Sequence, residues 1–109
     1  MQISDSFNRY LTHYPAEANR LRLLAKQLQC GDSELTQRTN FVGHVTASAF
    51  IVNPATKQVL LLQHKSLGIL LQPGGHVEPA DKTILAAAER EVMEETGLSR
   101  DQLQLRSLH

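Results

Sequence analysis

Glu91, Glu94 and Glu95 occur within five residues of one another, at spacings of three and four. On an α-helix that spacing projects all three carboxylates from one side. Carboxylates gathered so closely repel unless a cation lies among them, and hard oxygen donors favour magnesium or manganese over metals that prefer softer ligands. Arg90, four residues before Glu94, can neutralise and aim one carboxylate while the others bind metal. Upstream, Gly74 and Gly75 let the backbone turn sharply and approach a ligand with no Cβ in the way. A main-chain carbonyl there could supply a further metal ligand. A metal bridging phosphate oxygens beside a deprotonated water suits in-line attack of water on a diphosphate phosphorus.

The surrounding elements must hold these groups. Asp81 is the natural N-cap of the acidic helix, Ile84, Leu85, Ala88 and Val92 form its apolar stripe, and Gly97 is placed to end it in a left-handed turn. Before it, a two-residue period from Phe41 puts Val45, Ala47, Ala49 and Ile51 on one face, with His44, Thr46, Ser48 and Phe50 on the other. Asn53 and Pro54 turn the chain into a second strand, Gln58 to His64, and Ile69 to Leu71 reads as a third that reaches the loop from Pro73 to Ala80. Leu103 to Leu108 is consistent with the start of another strand. The first forty residues read as helical: Ser4 to His13 as a separate helix, then Ala18, Leu21, Leu24 and Leu28 as core positions of a run opened by Pro15 and stopped by Gly31.

Bulk properties narrow the function classes. A chain of 109 residues with 41% hydrophobic content builds one core. Its formal charge is balanced, so nothing steers it strongly toward a nucleic acid polymer or an anionic membrane. Locally the balance breaks: from Glu78 to Glu95 six acids face two bases, inside a remainder that is net basic. An acidic cluster in a mildly basic frame suits a cation facing an anionic small molecule. Cys30 is the only cysteine, so no intramolecular disulfide can form, and with no signal-peptide pattern or membrane-length apolar run the expectation is a cytoplasmic protein.

The stretch GGHVEPADKTILAAAEREVMEETGL, residues 74–98, resembles the Nudix box of the Nudix hydrolase superfamily. Its second half matches fully, as Arg90, Glu91, Val92, Met93, Glu94, Glu95, Thr96, Gly97 and Leu98. Upstream, HVTASAFIVNP, VLLLQHKSLG and LQPGGHVEP are similar to the strands before the box in bacterial members. The resemblance implies an α+β fold of the α/β/α sandwich type, with a mixed sheet preceded here by N-terminal helices. Residues 1–40 would be a helical segment and 41–109 the first portion of the Nudix domain, with the later strands and last helix lacking. An open sheet edge and association into homo-oligomers are then expected. It also implies that Glu91 and Glu95 are metal ligands, Glu94 a third ligand or the water-activating group, Arg90 the orienting cation and Gly74 a carbonyl ligand. The implied activity is magnesium- or manganese-dependent hydrolysis of a nucleoside diphosphate linked to another moiety. A nucleotide-sensing module without turnover, or a prenyl-diphosphate isomerase on the same scaffold, are the alternatives.

The first half of the box runs one residue long, so its early acid is either Asp81 displaced by one position or has become Lys82. Gly75, His76 and Glu78 in the loop, and Lys65 at the preceding strand end, are candidate substrate contacts. For single residues the plainer alternatives compete: a loop histidine such as His76 more often bonds locally, His64 and Lys65 suit a solvated strand edge equally well, His44 reads as structural and Cys30 as a small packed or partly exposed side chain.

Overall fold

The computed structural model describes residues 3–31 and 35–106. The chain opens with α1, Ile3–His13, where Thr12 Oγ1 donates to the Asn8 carbonyl and His13 Nδ1 lies 2.9 Å from that of Arg9. Pro15 then opens a 3-10 turn, Pro15–Glu17, at the first-turn position where its missing N–H costs nothing. Tyr10 packs at a tilt of 40° against Tyr14, with ring centroids 4.8 Å apart, and donates its hydroxyl to Glu17, tying the turn back to α1. The expected long second helix is confined to α2, Arg22–Leu28. Residues 18–21 form turns instead, and Leu21, the residue before α2, offers no side-chain acceptor to the free amides of the helix start. Gly31, at φ +99°, follows the end of α2. Leu21, Leu24 and Leu28 are half-buried and not full core residues. The part of the helical start at residues 32–34 lies outside the described residues.

Among the described residues the strands form three antiparallel pairs. β1, Thr46–Ser48, pairs with β6, Gly74–His76; β2, Val52–Asn53, with β3, Gln58–Val59; and β4, Leu62–Gln63, with β5, Leu70–Leu71. The two-residue alternation holds: Ala47 is fully buried while Thr46, Ser48 and Phe50 are exposed. Two expectations change. The strand expected from Gln58 to His64 is split at Leu60 and Leu61, the Leu60 amide donating to the Ile51 carbonyl and closing the first hairpin before the second begins. The segment expected as pure loop from Pro73 contains β6, because the Gly74 and Gly75 backbone pairs with Ser48 and Ala47.

The helix α3, Ile84–Thr96, packs on both β1 and β6. Ala87, Ala88 and Val92 are its buried residues; Ala87 and Ala88 make a core with Ala47 beneath the strands, flanked by Val77 and Ile84. Ala87 takes the place expected of Leu85, which is 40% exposed. Small residues at the contact let the helix backbone lie close to the strands. Beyond α3, Ser99 caps a 3-10 turn, Arg100–Gln102, and residues 103–106 form no strand, while Leu108 lies outside the described residues. No helix among the described residues is long and apolar enough to cross a membrane.

Candidate active site

The acidic helix begins at Thr83, two residues later than expected. Thr83 is extended and its hydroxyl accepts the Ala86 amide at 3.0 Å, so threonine, and not Asp81, is the N-cap. At the other end Gly97 takes φ +78°, and its amide donates to the Met93 carbonyl at 2.9 Å. Burial of Ala87, Ala88 and Val92 then fixes the roll of the helix and sets Glu91 and Glu95 toward β6.

Both meet the double glycine. A Cβ built on Gly75 would fall 2.6 Å from Glu91 Oε1, and the Gly74 amide donates to Glu95 Oε1 at 3.3 Å. Gly74 is constrained from the strand side as well, since a Cβ there would lie 2.5 Å from Ser48 Cβ and 2.7 Å from the Ala47 carbonyl oxygen. Glycine at both positions lets the helix carboxylates and the β1 backbone approach the same short strand.

Arg90 organises the remaining acids. Its Nε donates to Asp81 Oδ1 at 3.0 Å, Nη1 to Glu91 Oε1 at 3.0 Å and Glu94 Oε2 at 3.2 Å, and Nη2 to Asp81 Oδ2 at 2.9 Å and the His76 carbonyl at 3.0 Å. A guanidinium carries five N–H donors, and each has an acceptor here. Glu78 stands 3.5 Å from the same group. Hydrogen bonding to Asp81 above all holds Arg90 protonated well beyond its usual range, and the same contact pulls the Asp81 carboxyl below the ordinary carboxylate value. Of the two candidates for the early box acid, Asp81 is the one drawn to Arg90. Spacing could not reveal this, because the partners are nine residues apart and meet only through the fold.

Four carboxylates around one guanidinium leave the cluster net negative. Glu91 is nearly buried, with 14% of its side chain exposed, whereas Glu94 is 57% exposed. The acids therefore reach from the protein surface into the β6 contact. Among the described residues no group of three His, Cys, Asp or Glu side chains already stands in metal-holding geometry. The donor set is nonetheless all hard oxygen, and the space a Cβ would fill at Gly75 is what lets Glu91 lie there.

The expected substrate contacts separate. Gly75 lies on Glu91, and Glu78 is drawn to Arg90. The His76 ring stacks on His44, centroids 5.2 Å apart, while its carbonyl serves Arg90; this gives His44 a place beside the site. Lys65 lies across a cleft of about 430 Å³ whose walls include His64, Leu62, Leu71, Gly74 and Glu95. That cleft joins the β4–β5 hairpin to the helix, a juxtaposition that no local pattern in the sequence signals. Cys30 sits elsewhere, beside Leu23 and Val42.

A double glycine lies against a helix whose carboxylates are ordered by an arginine between them. The family model for the NUDIX domain matches residues 42–109, and the chain belongs to that family, whose members generally hydrolyse diphosphate bonds in small molecules. No curated protein and no solved structure gives a match to the chain.

Proposed function

We propose that this protein is a magnesium- or manganese-dependent hydrolase of a nucleoside diphosphate linked to another moiety. The observation that carries the reading is the convergence of Glu91 and Glu95, four residues apart on α3, on the adjacent residues Gly75 and Gly74. Glu91 and Glu95, with the Gly74 carbonyl, are the groups that would hold the metal. When bound, a divalent ion of this kind neutralises phosphate charge and makes a water molecule more acidic.

The chain's own residues supply orientation and proton transfer. Arg90 binds one oxygen each of Glu91 and Glu94, fixing the direction in which both carboxylates face. Asp81 and the His76 carbonyl hold Arg90 from behind, so its position does not depend on the acids it aims. Glu94, anchored through Oε2 and open to solvent, offers its other oxygen to the proton of an attacking water. Water oxygen bonds to phosphorus, the bridging P–O bond breaks, and each product keeps one phosphate.

The test is magnesium-dependent product release from a panel of nucleoside diphosphate derivatives. Glu94→Gln should lower turnover by about 10²- to 10⁴-fold, the range of a lost general base, with an unchanged melting temperature. Equal turnover by both proteins would reject the assignment of Glu94.

A further inference from the structure

We infer that the cleft between the β4–β5 hairpin and α3 receives the part of the substrate's diphosphate that lies away from the glutamates, with His64 as a fixed hydrogen-bond donor and Lys65 as the counter-charge. This rests on the hydrolase reading above and adds the two residues that would position its substrate.

His64 is held on three sides by its own turn. Its amide donates to the Ile69 carbonyl at 2.9 Å, its carbonyl accepts from the Gly68 amide at 2.8 Å, and its Nδ1 accepts from the Leu67 amide at 3.1 Å. Gly68 makes the turn possible, at φ +66°. An imidazole that accepts at Nδ1 carries its proton on Nε2, so the ring presents a single donor in a fixed direction. His64 and Lys65 both line the cleft of about 430 Å³ whose other walls include Gly74 and Glu95.

The lining thus combines a carboxylate, Glu95, with the Lys65 ammonium and the His64 N–H donor. Leu62 and Leu71 lie in the same walls. A diphosphate fits this arrangement: one phosphate beside the acids, the other's oxygens at His64 and Lys65, and an apolar or ring portion of the attached moiety against the leucines. Arg90 cannot take the second phosphate without giving up a partner, since all five of its donors are engaged. The charge of that phosphate falls to Lys65.

The experiment pairs steady-state kinetics on the same substrate panel with titration of α,β-methylene ADP in the presence of magnesium. His64→Asn keeps an acceptor for the Leu67 amide and removes the outer donor; His64→Gln returns an amide donor near the position of Nε2. His64→Asn and Lys65→Ala should each weaken analogue binding and raise KM by about tenfold, the loss expected for one charge-assisted contact, with kcat changed by less than about twofold. His64→Gln and Lys65→Arg should restore part of the affinity, a rescue that a purely structural role would not give. Wild-type affinity and KM in both His64→Asn and Lys65→Ala, with turnover still lost in Glu94→Gln, would overturn the cleft assignment and leave the hydrolase reading intact. Analogue binding that depends on His64 and Lys65, in a protein that turns over no member of the panel, would support the cleft and reject the hydrolase. Absence of both binding and turnover in the wild type would overturn the two together.

Discussion

The N-terminal helices and the unit formed by α3, β1 and β6 are built on different principles. Neither α1 nor α2 has a buried residue, and Leu23 on α2 is 58% exposed. Their order comes from contacts near in sequence, such as Tyr10 with Glu17 and Thr12 with Asn8, and from a Gln27 amide that reaches the Gly43 carbonyl at 3.2 Å. In the second unit Ala47, Ala87, Ala88 and Val92 are buried, and residues 26 to 30 positions apart share a strand pair. The clustered glutamates, Arg90 and the double glycine all lie in the second unit. Atoms must be held to within tenths of an ångström for chemistry, and only close packing between distant segments does that here.

Three perturbations sharpen the contrast. Gly74→Ala should have the largest effect, because the new methyl meets the Ala47 carbonyl and Ser48 at under 3 Å and neither backbone can yield without parting β1 from β6. Overpacking of this kind costs about 2–3 kcal/mol, read from denaturant unfolding. A variant with wild-type stability would mean that the strand pair is loose.

Asp81→Asn should come next, at about 1.5 kcal/mol near neutral pH, the scale of a hydrogen bond to a charged group. Since Arg90 depresses the Asp81 value in the folded state, this contribution is complete above about pH 4, the ordinary carboxylate value, and fades as pH falls below it through the folded value. Unfolding midpoints measured from about pH 6 to pH 3 should therefore converge for wild type and variant at the acid end; parallel curves would show that the Asp81 to Arg90 contact adds nothing to stability. The smallest effect belongs to the other region: Leu23→Ser on α2 should change stability by less than about 0.5 kcal/mol and leave turnover untouched.

What could be read from the sequence divides along the same line. Signals that act within a few residues were legible: α1, the stop at Gly31, the left-handed Gly97, the alternation around Ala47 and the shared face of the glutamates all follow from local periodicity and backbone preference. Asp81 misled because an aspartate just ahead of an apolar-periodic run reads as a cap, yet here its carboxylate accepts from Arg90 and from the Glu78 amide, and Thr83 caps instead. Gly74 and Gly75 read as loop because glycine has low strand propensity, which says nothing of a strand that needs their bareness to fit against β1. The cleft was invisible for a related reason, since its two walls are separated by the loop and most of the helix.

The five occupied donors of Arg90 bear on which substitutions this chain can absorb. A lysine ammonium carries only three protons on one nitrogen, so it cannot span Asp81, the His76 carbonyl and two glutamates at once. The loop before the helix, the third residue of β6 and the middle of α3 behave as one bracket fastened by a flat, forked head. A round charge of equal sign would satisfy the electrostatics and still let the bracket come apart.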